Sequence, residues 1–395
     1  MIKRLASNDY IIGKKEKMVY NLIRRYKKIS RKELLFHTKF KIATLYRIIE
    51  NLLKQKLIKV SGIAESSKGG RPSELFSINE ALNFIVCIVV YREHFTISIT
   101  DLNGYILKSR YQKITYDMTT ETFIDLVYSD YQNMIECLQI DNDEVLGIGM
   151  ACVGPIDIEK GIVLNTYRFQ GKGWINAPLV QMLRNKFDKR VVMENIARGC
   201  INGQYWLHYV HKYNTMAYVT IGKGIGAGLI SNGLVVRRKT GVVKKGIGHM
   251  IVDIDGKKCI CGNYGCIETY STIFAIKDQI LSEIKRGRQS SINMDNITID
   301  DINEAYEEGD DVVCRVVYDA ANYFATGMVN YINIVDVEIL LIGGKLIETC
   351  PSFRDLVYKF IHERTTDDIN VVFIDNEENS VISGMAMFLL DTYLS

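Results

Sequence analysis

Hydrophobic residues recur every three or four positions along the first sixty residues of the chain. The spacing of Met18, Val19, Leu22, Ile23 and Tyr26 predicts a helix over residues 15–27 with lysines and arginines on its opposite face. Ser30 and Glu33 have the serine-x-x-glutamate spacing of a helix N-terminus, which predicts a second helix. A third helix is predicted by the apolar stripe of Ile42, Leu45, Ile48, Ile49, Leu52 and Leu53. Three short helices joined this closely form a helix-turn-helix unit.

After the third helix the pattern changes to strands. Residues 58–78 hold two strand-like pieces around a loop rich in glycine, serine and lysine, which predicts a wing. From residue 82 strands alternate with helices in two series, which implies an α/β fold of two lobes. The predicted strands are residues 84–91, 95–104, 145–157, 190–195, 216–230 and 337–344, and the predicted helices are residues 119–139 and 312–332. Glycine-rich turns at 222–228 and 342–345 lie at strand ends, where such folds bind ligands.

Composition narrows the class of protein. The 395 residues allow two or three domains, and contents of 47% hydrophobic and 24% charged residues are typical of globular proteins. No apolar run approaches the roughly 18 residues of a membrane helix, and the N-terminus has no secretory signal. We therefore expect a cytoplasmic protein with no membrane partner.

Charge is distributed unevenly along the chain. Residues 1–72 contain 19 lysines and arginines against 5 aspartates and glutamates, whereas residues 73–395 contain 30 against 41. A cationic head on an anionic body indicates that the head meets a polyanion, double-stranded DNA. The predicted contacts are Lys39, Lys41, Thr44, Tyr46 and Arg47 at the third helix, and Arg71 of "GGRP" in a minor groove. A basic bundle that binds a protein partner is the alternative.

Three cysteines and one histidine crowd into residues 249–266. Cys259 and Cys261 form a Cys-x-Cys pair, Cys266 follows, and His249 lies ten residues upstream across a predicted hairpin at 250–258. Such a Cys₃His set fills a tetrahedral zinc shell and leaves no position for a reactive water. We therefore predict one structural zinc ion per chain, the alternative being a chance cluster of buried thiols.

The stretch "GHMIVDIDGKKCICGNYGCIETY" (248–270) resembles the signature of the ROK family, which comprises sugar kinases and sugar-responsive transcriptional repressors. Further similarities are "VGPID" (153–157), "IGKGIGAG" (221–228), "NYINIVDVEILLIGG" (330–344) and "SGMA" (383–386). The resemblance implies an α/β chain in which a winged helix-turn-helix domain, residues 1–80, precedes a two-lobed, actin-like or ribonuclease H-like body of the sugar-kinase type. The smaller lobe would span 81–194, completed by 380–395, and the larger lobe, with the zinc site, 195–379.

Positions that the family's kinases need are changed in this chain. Their first phosphate loop, of the form D-x-G-G-T, falls on residues 89–93, where Tyr91 and Arg92 replace the glycines and Glu93 replaces the threonine. The catalytic aspartate that follows "EN" in the kinases corresponds to Ile196, whose side chain cannot accept a proton. We therefore expect that this chain is not an enzyme.

The sugar contacts of the family are partly retained. The resemblance implies that Asn195, His249 and Glu268 contact the hydroxyls of a sugar effector, while two further family carboxylates correspond to Ile196 and Gly246. Because a hydrogen bond to a charged group contributes about 1.5–3 kcal/mol, their loss predicts a changed or weakened ligand preference. The alternative is a pocket that binds no sugar, beside a zinc ion that serves structure alone.

Together these observations predict a sequence-specific DNA-binding repressor of carbohydrate-use genes. We expect a homodimer or homotetramer on a two-fold operator, and a sugar or sugar derivative that shifts it between shapes of different DNA affinity. Two alternatives remain: a repressor without a ligand that a protein partner controls, and an active sugar kinase with a DNA-binding appendage.

Overall fold

The structure is a computed structural model, and it describes residues 13–64, 73–165, 169–237, 241–243, 246–365 and 369–394. The helices are α1 (Lys14–Tyr26), α2 (Arg31–Thr38), α3 (Ile42–Lys54), α4 (Thr120–Leu138), α5 (Leu179–Phe187), α6 (Ile196–Gln204), α7 (Glu268–Ser271), α8 (Ile273–Lys285), α9 (Ile299–Glu307), α10 (Asp311–Val335), α11 (Lys345–Thr349), α12 (Pro351–Arg364) and α13 (Glu377–Leu394). The strands are β1 (Ile29–Ser30), β2 (Ile58–Ala64), β3 (Ser73–Ile78), β4 (Phe84–Val90), β5 (His94–Thr100), β6 (Ile106–Lys113), β7 (Val145–Cys152), β8 (Ile156–Asp157), β9 (Ile162–Val163), β10 (Arg190–Asn195), β11 (Thr215–Ile221), β12 (Ile225–Ser231), β13 (Leu234–Val235), β14 (Val242–Val243), β15 (Ile339–Gly343) and β16 (Asn370–Phe373).

The N-terminal head, which we define as residues 13–64 and 73–78, contains α1–α3 and an antiparallel sheet in the order β1-β3-β2. The predicted start of α2 is confirmed, because Ser30 Oγ accepts from the Glu33 amide at 3.3 Å and Glu33 Oε2 accepts from the Ser30 amide at 2.8 Å. The helices bury a shared core of Val19, Tyr20, Ile23, Leu34, Leu45, Ile49 and Leu52. The placement of Ile42 in the apolar stripe is wrong, since this first residue of α3 is 64% exposed; it precedes the turn at which the helix meets the core.

A five-stranded sheet follows the head, in the order β10-β7-β4-β5-β6. Strands β4, β5 and β6 form an antiparallel meander, and β7 and β10 extend the sheet parallel to β4. Every residue of β7 is buried, as its continuous apolar run requires.

A second five-stranded sheet repeats this order as β13-β12-β11-β15-β16. Its first three strands are again antiparallel neighbours, and β15 and β16 again run parallel to β11. Two sheets with the same strand order confirm the predicted two-lobed α/β body.

The glycine-rich stretch at 222–228 differs from its prediction as a turn. Residues 216–230 form the antiparallel pair β11 and β12, and the turn between them is residues 222–224. A Cβ at Gly228 would come 2.5 Å from the carbonyl oxygen of Ala197, so this glycine allows β12 to pack on α6. The prediction was wrong here because a glycine that admits a close backbone neighbour gives the same sequence signal as a turn glycine.

The chain divides into two compact units. The first contains Met1–Asn195, Asn202–Val210 and Val381–Ser395, and the second contains Ile196–Ile201 and His211–Ser380. The head and the first five-stranded sheet belong to the first unit. Among the described helices, none has the length and apolar character needed to cross a membrane.

Candidate functional site

Five of the six predicted DNA contacts lie in the turn between α2 and α3 and in the first half of α3. Lys39 ends α2 in the left-handed conformation, with φ 53°, and Lys41 directly precedes α3. Both lysines are exposed, as are Tyr46 and Arg47 one helical turn further on, whereas Thr44 is half-buried. The arrangement presents three cations and a phenol to solvent at one end of the head.

Tyr46 is positioned by Arg31, a residue that the sequence analysis missed. The Arg31 guanidinium carbon lies 4.7 Å from the centre of the Tyr46 ring, within the range of a cation–π contact. The same guanidinium donates to Glu74 Oε2 on β3 at 2.8 Å. Arg31 therefore links α3 to β3. Its signal in the sequence is a cation in the first turn of a helix, where acidic residues are favoured.

The sixth predicted DNA contact, Arg71, lies outside the described residues. Ile42 is a candidate DNA contact that the sequence analysis missed. An exposed apolar side chain at the N-terminal end of such a helix can contact the methyl group of a thymine. Periodicity alone assigned Ile42 to the core, because it cannot distinguish the first turn of a helix from its middle.

The structure brings the four predicted metal ligands together. The ligand atoms of His249, Cys259, Cys261 and Cys266 all lie within 4.8 Å of one another. His249 Nδ1 is 3.6 Å from Cys259 Sγ, and Cys261 Sγ is 3.7 Å from Cys266 Sγ. In a zinc tetrahedron the bonds are about 2.3 Å to sulfur and about 2.0–2.1 Å to nitrogen. The distance from nitrogen to sulfur is then about 3.6 Å, and the distance between two sulfurs is about 3.8 Å. The donor set and its spacing therefore fit a tetrahedral metal ion.

The electrostatics of the cluster also favour a cation. Burial, reinforced by the sulfurs of Cys261 and Cys259, raises the pKa of the Cys266 thiol to about 12. Burial likewise raises the pKa of Cys259. Thiols with a raised pKa are protonated at neutral pH, and a zinc ion would displace the protons of its cysteine ligands.

The backbone around the cluster differs from the predicted hairpin at 250–258, which does not form. The Val252 amide donates to the Gly265 carbonyl, and the Gly265 amide donates to the Lys257 carbonyl, both at 2.9 Å. Residues 252 and 257 of the segment thus pair with Gly265, which follows the segment in the chain, and not with each other. Gly265 permits this, since it has φ +67° and a Cβ there would overlap the carbonyl oxygen of Asp253.

Two stacked tyrosines attach the metal-ligand loop to α10. Tyr270 donates to Asp253 Oδ2 at 2.9 Å, and its ring stacks on Tyr323 with centroids 4.0 Å apart. Burial raises the pKa of Tyr270 to about 12, so it remains a donor at neutral pH. These contacts join the metal-ligand loop to the long helix α10 within the second unit.

Two of the three predicted effector residues lie beside the metal cluster. Glu268 Oε2 is 3.6 Å from His249 Nδ1, and Glu268 Oε1 accepts from the Ile225 amide at 3.3 Å. The third, Asn195, ends β10 and belongs to the other compact unit. Asn195 is half-buried next to Glu194, which is fully buried and accepts from the Asn195 amide at 2.9 Å.

The turn between β4 and β5 contains the residues that the family resemblance assigns to the kinase phosphate loop. The Tyr91 amide donates to the His94 carbonyl at 2.9 Å and closes the turn. The Tyr91 ring stacks on His94 at 4.7 Å, and His94 stacks on Tyr111 at 5.0 Å. Aromatic rings therefore fill a turn in which the family's kinases have glycines, and Val89 before it is fully buried.

The two positions that the family resemblance assigns to carboxylates, 196 and 246, have different surroundings. Ile196 begins α6 and is 4% exposed, so its side chain is part of the apolar core. Gly246 has an extended backbone, and among the described residues, apart from its chain neighbours, no heavy atom lies within 4 Å of a Cβ built there. A longer side chain thus has room at position 246 but not at position 196.

Known proteins match this chain over most of its length. The sequence profile of the ROK family matches residues 85–391. The xylose repressor of Caldicellulosiruptor bescii is 26% identical over 352 residues, 88% of this chain and 87% of that protein. The DNA-binding transcriptional dual regulator NagC of Escherichia coli is 26% identical over 374 residues, 93% of this chain and 90% of that protein.

Solved structures share the fold. A ROK family transcriptional regulator described as a homolog of the Escherichia coli MLC protein has a TM-score of 0.78 at 24% identity, covering 96% of this chain and 97% of that one. The ROK hexokinase of Thermus thermophilus has a TM-score of 0.66 at 17% identity, covering 77% of this chain and 97% of the enzyme. The regulator thus matches nearly the whole chain, whereas the kinase matches about three-quarters of it.

Proposed function

This chain belongs to the ROK family, and from that membership we propose that it is a DNA-binding transcriptional repressor of genes for carbohydrate use. The observation that carries the proposal is the extent of the match: relatives named as transcriptional regulators align with 88–93% of the chain. The cationic head supports the same function, because neutralising phosphates is what nucleic-acid binding requires.

We assign DNA recognition to the head acting as a winged helix-turn-helix within residues 1–80. Helix α3 enters the major groove, where Ile42, Thr44, Tyr46 and Arg47 meet base edges and Lys39 and Lys41 meet phosphates. Arg71, between β2 and β3, reaches the minor groove. Two heads of a homodimer or homotetramer bind the two halves of a two-fold operator in the cytoplasm.

The operator proposal is tested by selecting bound duplexes from a random pool and measuring their affinity by gel shift. Replacement of Arg47 by alanine removes a base contact, so we expect a loss of about 1–3 kcal/mol in binding and relaxed preference at one base pair. Lys359, exposed on α12, gives a matched control, since Lys359→Ala removes an equal charge from the body. A pool that yields no enriched duplex would refute sequence-specific binding.

We propose that His249, Cys259, Cys261 and Cys266 hold one structural zinc ion per chain. The fit of the ligand distances to a tetrahedron supports this assignment. When bound, the ion supplies electrostatic cross-linking of the loop and no reactive water, because four protein ligands complete its shell. Glu268 Oε2 lies 3.6 Å from His249 Nδ1, at the edge of the proposed ligand set.

We propose further that the body binds a sugar-like effector without phosphorylating it. We assign the effector role to Asn195, His249 and Glu268, with proposed lobe limits of 81–194 plus 380–395 and of 195–379. The aromatic turn at 91–93 and the aliphatic Ile196 support the absence of kinase activity. Calorimetric titration with pentoses, hexoses, N-acetylhexosamines and their phosphates tests binding, and an Asn195→Ala variant tests the site. Transfer of phosphate from ATP to any of these sugars would refute the proposal.

A further inference from the structure

A cleft of about 570 Å³ lies within the first unit, where the head meets the first lobe. Its walls carry four cationic side chains against one carboxylate. The cations are Arg24, Lys27 and Lys28 at the end of α1 and Lys59 on β2, and the carboxylate is Glu80. This volume is typical of small-molecule sites. A concave surface with this excess of positive charge selects an anion.

These cations are not part of the DNA-binding surface proposed above. Lys59 pairs with Ser77 in the part of the β2–β3 pair that lies farthest from Ala64 and Ser73. Lys27 and Lys28 follow α1, and the recognition helix is α3. Arg24 is paired with Asp391 and Lys59 with Glu80, so the positive charge left for a ligand is chiefly that of Lys27 and Lys28.

Buried contacts between the head and the first lobe hold one wall of the cleft in place. The Arg24 guanidinium carbon lies 3.9 Å from the centre of the Trp206 ring, and Arg24 NH1 donates to Asp391 Oδ1 at 2.6 Å. Trp206 belongs to a π-helical turn, Tyr205–Tyr209, that extends α6, and such turns occur frequently at functional sites. Buried Arg24 Nε has no hydrogen-bond partner within the described part of the chain.

The lysines nearest the opening are accessible. Lys27 and Lys28 are exposed, with Lys27 Nζ donating to the Leu207 carbonyl at 2.9 Å. Lys59 Nζ contacts Glu80 Oε1 at 2.5 Å, and both side chains are partly exposed. A ligand with several anionic oxygens can join this ion pair, because lysine has three donors and a carboxylate uses only some of them.

We propose that this cleft binds a small phosphate monoester and that the bound ligand holds the head against the first lobe. A phosphate monoester carries close to two negative charges and three strong acceptor oxygens, which match the ammonium groups of Lys27, Lys28 and Lys59. The indole of Trp206 offers an apolar surface for the rest of the molecule. The site is a second effector site, separate in its residues from Asn195, His249 and Glu268. Its effect on the operator, though not the binding itself, depends on the proposed function.

Tryptophan fluorescence tests the proposal without DNA. Of the two tryptophans, Trp206 lines the cleft and Trp174 is 3% exposed in the lobe. The probes are glucose 6-phosphate, AMP and inorganic phosphate, with glucose and adenosine as uncharged partners. We expect a saturable change with glucose 6-phosphate or AMP and none with the uncharged partners; which ester binds more tightly identifies the source of the phosphate. Trp206→Phe should abolish the fluorescence change while calorimetry still detects the ligand.

Matched lysine variants locate the binding. Lys28→Ala and Lys59→Ala should each raise the dissociation constant about tenfold, because each removes a charge-assisted contact. Lys54→Ala, which removes an exposed lysine of α3 that does not line the cleft, should leave it unchanged. The proposal is overturned if no phosphate ester binds, if the uncharged partners bind equally well, or if the cleft variants bind like the wild type. The affinity of Lys28→Ala for the operator is also measured without an ester. If it equals that of the wild type, a loss of ester binding is distinguished from a failure of DNA binding.

Discussion

The contact between Arg24, Trp206 and Asp391 makes a quantitative prediction about how the head is held on the body. The Arg24 side chain is 2% exposed, whereas that of Asp391 is 47% exposed. A desolvated cation–π contact contributes about 2 kcal/mol. The ion-paired hydrogen bond contributes about 1 kcal/mol, because water screens the half-exposed carboxylate. Arg24→Ala should therefore lower the free energy of unfolding by about 3 kcal/mol. The measurement is urea denaturation followed through tryptophan fluorescence, to which Trp206 contributes.

Three further variants separate the contributions to this contact. Asp391→Ala should cost about 1 kcal/mol, and the double variant should be no less stable than Arg24→Ala, since Asp391 without its partner can be hydrated. Arg24→Met should recover part of the loss, because an apolar side chain of similar length can replace a buried charge. Arg25→Ala is the control on the same helix, where the guanidinium carbon lies 5.9 Å from the centre of the Trp206 ring. Additive losses in the double variant would show that Arg24 and Asp391 do not interact, and the reasoning would fail.

The remaining predictions concern four residues of the body: Cys261, Gly246, Ile196 and Glu377. Cys261→Ser should release the zinc ion, measured as metal content by mass spectrometry, and should lower the melting temperature; full retention of zinc would contradict the ligand assignment. Gly246→Glu, which has room for its side chain, should tighten sugar binding in calorimetry by about tenfold through one charge-assisted hydrogen bond, whereas Ile196→Asp should lower stability. Burial raises the pKa of Glu377 from 4.5 to about 7, so the folded state holds this proton over a range in which the unfolded chain has lost it. Stability should therefore fall by about 3 kcal/mol as pH rises from 4.5 to 7, and Glu377→Gln should remove that part of the dependence in urea denaturation at pH 5, 6 and 7.

The features that could be predicted from sequence are those set by neighbours along the chain. The capping pair of Ser30 and Glu33 is three residues apart, and the cysteines that would bind zinc lie within eight residues of one another. Arg24 and Asp391 are 367 positions apart, and no periodicity or spacing connects them. The head–lobe contact and its cleft could therefore be found only after folding. The hairpin at 250–258 was mispredicted for a related reason. Val252 and Lys257 of this segment form backbone hydrogen bonds with Gly265, which lies outside the stretch whose pattern predicted the hairpin.

Two of the positions that the family resemblance assigns to kinase carboxylates have aliphatic side chains in this chain. Val89 is fully buried and Ile196 is 4% exposed, so both are core residues in this chain. An aspartate at such a position needs a charged partner or a hydrogen-bond network, and without one its burial costs several kcal/mol. Catalysis can justify that cost in an active kinase, whereas a body that only binds a ligand gains stability when aliphatic side chains replace the carboxylates. Gly246 lies in open space, where a carboxylate would remain hydrated and its loss gains no packing. The change at 246 is therefore better explained by ligand preference than by stability, and this is the position at which we expect the effector specificity of this chain to differ from that of its relatives.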